Sequence, residues 1–359
     1  MTRLEERYRR VLRLLPASYR EVWEEDMVST FLATVETDDR EQAEYLADYG
    51  RPGWDEVASI VALAIRLRFA SSGAPPRYAT WAEAIRLAAL AGLLVNAAAS
   101  TVVLVLTLWR AGMIPLIPAP APLPEPPGYP AAWHRLFMLA ALAGLLWLPA
   151  FLALVLGRRA MARWLALAAV LAAILSTAAT VAFAQQLLTG ELCYGLLIDA
   201  VLVLALTTFT RGAAPVQYRS WLLAFVLGTA VIAAYSLVLF QPTTPFPPLD
   251  WAGLECVMLV TAAAVHISVI ATRRQLRIVA WTPALAILAF VVLGLRLVSL
   301  SDYSRFGSSG WHPATVPLGI AEAVVVGATA IVLVLLSART LRRLPATGAD
   351  ATAWSTSSR

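Results

Sequence analysis

Residues 314–343 read ATVPLGIAEAVVVGATAIVLVLLSARTLRR, an apolar run interrupted by one ionisable side chain, Glu322, and closed by Arg339, Arg342 and Arg343. A helix rises about 1.5 Å per residue, so crossing about 30 Å of hydrocarbon takes about 20 such residues. This stretch is long enough to span a bilayer and ends in the positive charge that cytoplasmic flanks collect. Seven comparable segments precede it, at about 84–109, 135–156, 161–185, 192–209, 219–240, 251–271 and 278–299. The fold class that follows is all-α: an integral membrane bundle of about eight transmembrane helices.

The arginines give the orientation. Arg77, Arg86, Arg158, Arg159, Arg163, Arg211, Arg219, Arg273, Arg274, Arg277, Arg339, Arg342 and Arg343 fall at one set of span ends, and only Arg110, Arg135 and Arg305 at the other. Alternating loops with such a bias predict that both termini are cytoplasmic. Tryptophans Trp81, Trp109, Trp133, Trp164, Trp221, Trp251, Trp281 and Trp311 lie at or near span ends, where an indole meets headgroup and hydrocarbon together. All 28 basic residues are arginine, a usage of GC-rich bacterial genomes, and the predicted location is the bacterial plasma membrane.

Residues 1–76 are predicted to form a separate cytoplasmic head, followed by a membrane domain at 81–338 and a short cytoplasmic tail at 339–359. Leu4, Tyr8, Val11, Leu12 and Leu15 share one helical face, and Pro16 ends that helix. Ser18 and Glu21 have capping-box spacing, opening a second helix whose apolar side holds Trp23, Met27, Thr30, Phe31 and Val35. A third helix is predicted over about 39–49, with Gly50 at its end, and a fourth over about 54–69 carrying Val57, Ile60, Val61, Ala64 and Ile65. Residues 1–83 hold 11 Arg against 15 Asp or Glu, and this acidic balance argues against nucleic acid as a partner.

Within the head, Leu14-Leu15-Pro16, Tyr19-Arg20, the acidic run Glu24-Glu25-Asp26 before Met27, and Arg51-Pro52 before Glu56 carry a resemblance. Together they resemble the N-terminal helical module of actinobacterial multi-pass membrane proteins with a HAAS-type or permease-prefix domain. The resemblance covers roughly residues 5–70. It implies a cytoplasmic signalling or interaction module, without catalytic residues, joined to a variable membrane region.

Ionisable groups inside spans cost about 2.5–3.5 kcal/mol on insertion scales and are candidates for function. Asp199, Glu255, Arg296 and Glu322 all map to the outer half of the predicted bundle. One reading brings them to a shared outward-facing cavity where a carboxyl binds a cation or relays a proton. The other makes Arg296 a clamp between helices, paired with one acid. His266 reads as a packed, hydrogen-bonded histidine. Cys193 and Cys256 fall at the outer ends of spans four and six, which leaves a disulfide or two buried free thiols as alternatives.

His134 and His312 lack any paired metal-ligand spacing, and no phosphate loop, zincin motif, nucleophile elbow or Cys-x-x-Cys occurs, so no metal, cofactor or enzymatic activity is predicted. The LPATG at 344–348 is followed only by a short polar end and lacks the apolar span and basic tail of a sorting signal. The proline-rich stretches at 115–130 and 241–250 read as stiff outer spacers. The predicted partners are therefore the lipid bilayer and a protein bound at residues 1–76. Function divides between a non-enzymatic membrane protein whose head binds a regulator or subunit, and a small-solute or ion permease using the outer-half carboxylates.

Overall fold

The computed structural model describes residues 3–15, 17–35, 49–70, 76–114, 142, 144–184, 189–209, 216–239, 249–273, 280–306 and 314–342. Among these residues there is no strand, and the chain is all-α. It divides into two compact units between Ala82 and Glu83.

The first unit contains α1 (Arg3–Leu12), α2 (Ala17–Val35) and α3 (Trp54–Ala70). Its core holds Leu4, Tyr8 and Leu12 of α1, Leu15 just after it, Val28 and Phe31 of α2, and Ile60 and Ala64 of α3. The α1 and α3 positions lie on the faces that the periodicity marked, whereas Trp23 and Thr30 of the face expected for α2 are exposed and Val28 is buried instead. The Tyr8 and Phe31 rings stack at 4.0 Å between centroids, and the Tyr8 hydroxyl donates to Glu56 Oε1 at 2.9 Å. Burial first, and then that hydrogen bond, push the Tyr8 phenol above its ordinary range, so α1 and α3 are joined through a neutral donor. Arg7 donates to the Gly50 carbonyl at 2.6 Å. Arg9 forks onto Glu25 at 2.7 and 2.8 Å while its Nε reaches Glu5 one turn back. Helix α2 begins at Ala17, so Ser18 stands inside its first turn instead of before it. The third predicted helix lies outside the described residues except for its last residue, Tyr49, which is helical and followed by non-helical Gly50.

The second unit contains most of α4 (Pro76–Arg110), then α5 (Trp147–Val155), α6 (Arg159–Ala184), α7 (Gly190–Leu206), α8 (Tyr218–Leu239), α9 (Trp251–Arg273), α10 (Trp281–Phe306) and α11 (Thr315–Arg342). Helix α4 starts eight residues before the span predicted at 84, with Pro76 at its first position, where a missing N–H costs nothing. Two of these helices end in the same way: Met113 N–H bonds Leu108 O and Gly112 N–H bonds Trp109 O, and Arg158 and Gly157 bond Ala153 and Leu154 likewise. Gly112 and Gly157 have φ of 67° and 81°, the left-handed conformation this closure requires.

Six of the eight helices, α4, α6, α8, α9, α10 and α11, are long and apolar enough to cross a membrane. Helix α11 shows why lipid is the solvent. It buries Val326, Ala330 and Leu333 yet leaves Val324 and Ile331 66% and 62% exposed, so both faces are apolar. The chain is a multi-pass membrane protein. Of the other two predicted spans, α7 has 17 residues, and 135–156 is described at residue 142 and from 144 onward, with α5 covering nine.

Contacts at the two bundle ends give the helix directions. At one end Arg86 of α4 and Arg163 of α6 reach carbonyls after α7, and Trp221 of α8 stacks on Trp281 of α10. At the other, Asp302 of α10 meets the start of α7, and Tyr235 of α8 meets Leu249 before α9. Helix α4 is central. It packs with α5, α6 and α7 through Leu90, Leu93 and Ala97, with α8 and α9 through Ala98 and Val102, and with α10 through Ala84 and Ala88.

One prediction concerns the first unit. The Arg9 hydrogen bonds hold the Glu25 carboxyl below its ordinary value of 4.5. A group lowered in the folded state stabilises at and above its ordinary range, and that contribution disappears as pH falls through the lowered value. Hydrogen exchange across α1 and α2 of the full-length protein should lose protection on acidification below that range. Arg9→Gln should flatten the dependence, and an identical pH profile in that variant would show that the pair contributes nothing.

Candidate functional site

Asp250 is the residue before α9, and its side chain does what a residue in that place does: Oδ1 accepts from the Gly253 N–H at 2.7 Å and closes the helix start. The same carboxylate takes Arg296 Nη1 of α10 at 2.7 Å on Oδ1 and 2.6 Å on Oδ2. The Tyr303 hydroxyl, two turns further along α10, donates to Oδ2 at 2.6 Å. Both carboxylate oxygens thus accept two hydrogen bonds each.

The other side of the guanidinium faces α11. Arg296 Nη2 lies 2.9 Å from Glu322 Oε2, an ion-pair distance out of hydrogen-bond alignment, and Nε donates to the Gly319 carbonyl at 3.4 Å. The Arg296 side chain is 0% exposed, with Asp250 and Glu322 at 8% and 10%. Gly319 permits this approach: a Cβ there would collide with Nη2 and lie 2.8 Å from Cζ and 2.9 Å from Leu300 Cδ2. One side chain therefore ties α9, α10 and α11 together above the apolar cluster of Leu259, Ala289, Val326 and Leu333. Two carboxyl groups face one guanidinium beside the N-terminus of α9, where the helix dipole favours negative charge.

The four sequence-predicted residues fall into three groupings. Arg296 and Glu322 meet, as the clamp reading had it, with Asp250 as the stronger partner. Asp199 on α7 accepts from Asn96 Nδ2 of α4 at 2.9 Å. Glu255 hydrogen-bonds Trp251, one turn earlier on its own helix. Asp250 was missed because it closes a proline-rich loop. Its signal was an Asp directly before a helix with Gly253 three residues on, the spacing of an N-cap.

Helix α7 is held at both ends by charged side chains of its neighbours. Asp302 accepts from the Gly190 and Glu191 N–H groups at 3.0 and 2.9 Å, and Thr189 Oγ1 accepts from Leu192 at 3.3 Å. Beyond its other end, Arg86 donates to Thr208 O at 3.0 Å and Arg163 to Phe209 O at 2.8 Å and Leu206 O at 3.2 Å. The Tyr194 hydroxyl bonds Val291 O across Gly294, whose missing side chain leaves room for the ring.

His266 Nε2 pairs with Thr282 Oγ1 at 3.0 Å, the packed histidine expected. The disulfide alternative is not realised: both cysteines are free, and only Cys256 is buried, among α9, α10 and α11, whereas Cys193 is exposed on α7. The two thiols therefore serve different faces, and the expectation of two buried thiols is corrected for Cys193. No group of three or more His, Cys, Asp or Glu suited to a metal occurs among the described residues. His134 and His312 lie outside them.

Removing one partner of a buried ion pair costs about 3–5 kcal/mol, because the other charge stays buried. Arg296→Met should therefore lower the thermal midpoint of the detergent-purified protein sharply. The triple change with Asp250→Asn and Glu322→Gln should recover much of the loss, and Gly319→Ala should act in the same direction as Arg296→Met but more weakly. A wild-type midpoint for Arg296→Met would mean that no clamp exists. No protein-family model, no curated protein and no solved structure matches this chain.

Proposed function

We propose that the chain is a non-enzymatic bacterial plasma-membrane protein that crosses the bilayer eight times with both termini cytoplasmic, and that its acidic head binds a regulatory or subunit protein. Two features support the topology: the arginine bias of alternating loops, and the alternating directions of α4 and α6 to α11, with α5 leading into α6 through the Gly157 turn. The resemblance of residues 5–70 to HAAS-type and permease-prefix modules supports the role of the head.

One observation carries the partner reading. The first unit closes a core of its own around Tyr8 and Phe31, yet Trp54 at the start of α3 is 88% exposed, and on α2 Val22 is 66% and Trp23 48% exposed on the same helix as the exposed acids Glu21, Glu25 and Asp26. Large apolar side chains beside charge are the surface of an interaction module. A permease is the second reading, favoured by Asp199, whose hydrogen-bond partner is the neutral Asn96.

Purification of the full-length protein from its native membranes in mild detergent should bring down a polypeptide that is lost in the Trp23→Ala/Trp54→Ala double variant. A preparation carrying no other polypeptide, or the same one with both tryptophans removed, would end the partner reading. A cysteine placed at residue 240 should react with an impermeant maleimide from outside intact cells. Reaction only after lysis would reverse the orientation.

A further inference from the structure

Among the acids of the bundle, Asp199 combines mid-depth with a neutral hydrogen-bond partner. It lies nine residues from Gly190, about 13 Å along the helix, and seven from Leu206, about 10 Å. Asn96 stands at a matching depth on α4, ten residues beyond Arg86, which is bonded to Thr208 at the end of α7. The pair is therefore near the middle of the bundle, flanked by the contact of Gly92 with Leu202 and by the buried Leu93 and Ala97.

The charged side chains on the elements packed against α7 have other engagements or other depths. On α4, Glu83 and Arg86 bond each other near the far end. On α6, Arg159 and Arg163 stand in the first two turns, and Arg163 donates to carbonyls after α7. On α10, Arg296 faces Asp250 and Glu322, Asp302 closes the start of α7, and Arg305 is in the last turn. On α7 itself Glu191 is in the first turn. Glu255 is on α9, bonded to Trp251.

We propose that Asp199 is a proton-binding site: its carboxyl is neutral in the packed protein, with Oδ1 accepting from Asn96 and Oδ2 carrying the proton. An unpaired carboxylate in hydrocarbon loses its hydration, and one amide donor replaces little of it, so such a group neutralises. The contrast with Asp250 is direct, since that carboxylate accepts from three donor groups, one of them a guanidinium. Ionisation of Asp199 requires water or a cation to enter between α4 and α7, so its protonation is coupled to the packing of those two helices. One carboxylate and one amide oxygen are too few to replace the six or more oxygen ligands that a hard divalent cation takes, whereas a proton needs one. This inference is independent of what the head binds.

The test uses full-length protein in detergent. Infrared difference spectra between wild type and Asp199→Asn at neutral pH should show the loss of one carboxylic acid C=O band, and Asn96→Leu should shift that band to higher frequency as the carbonyl loses its hydrogen bond. Asp199→Asn retains the size and the hydrogen-bonding capacity of the native side chain. In a second arm, a hydrophobic carbodiimide, which attacks protonated carboxyls in apolar surroundings, should label the peptide containing Asp199 in wild type, with labelling falling as pH rises and lost in Asp199→Asn. Loss of a carboxylate band instead of an acid band in Asp199→Asn would overturn the proposal. No labelling on Asp199 at any pH, or unchanged labelling of that peptide in Asp199→Asn, would overturn it too.

Discussion

The bundle depends on the cost of placing a guanidinium where there is no water. Arg296 is fully buried nearly three turns inside the end of α10, and it can stay there because three separate helices converge on it. Asp250 must sit at the start of α9 and Glu322 two turns into α11, and Gly319 must present a bare Cα to the guanidinium plane. The requirement works in both directions. A buried ion pair adds little net stability over a well-packed apolar alternative, but a half-satisfied one is severely destabilising. The arrangement therefore penalises any packing in which α9, α10 or α11 slides or rotates relative to the others.

The same economy governs the other charges of the membrane unit. Each helix end leaves four N–H or four C=O groups unpaired, and in a bilayer such groups have few alternatives to protein partners. Asp250 closes the start of α9 and Asp302 the start of α7, while Arg86 and Arg163 serve the carbonyls where α7 ends. These are the signs that the helix dipole favours, acids at N-termini and arginines at C-termini. Helix α7, with 17 residues, is among the shortest in the unit and is held in this way at both ends.

How far this was legible in the sequence follows from the range of each interaction. Span positions depend on about 20 consecutive residues, and the six long apolar helices could be read directly. So could the faces of α1 and α3, since Leu4, Tyr8 and Leu12 or Ile60 and Ala64 recur at helical spacing. The clamp was half legible. Arg296 and Glu322 stood out as ions in apolar runs, but Arg296 and Asp250 are 46 residues apart and Asp199 and Asn96 are 103 apart, distances at which one sequence does not encode which helices are neighbours. Asn96 drew no notice because a neutral amide is unexceptional in a span until an acid is found against it. The cysteines failed for the same reason: shared depth at span ends says nothing about the direction in which each side chain points.

Asp199 and Glu322 are therefore chemically alike residues with different roles, decided by their neighbours. Glu322 faces a guanidinium that Asp250 already holds, so its removal unbalances three helices. Asp199 has an amide for a partner and no ion to balance, so the bundle can hold it closed only as the acid. Were a guanidinium to replace the Asn96 amide, the site would become a second clamp between α4 and α7 and would lose its capacity to respond to pH. The neutrality of Asn96 is what leaves that contact able to open.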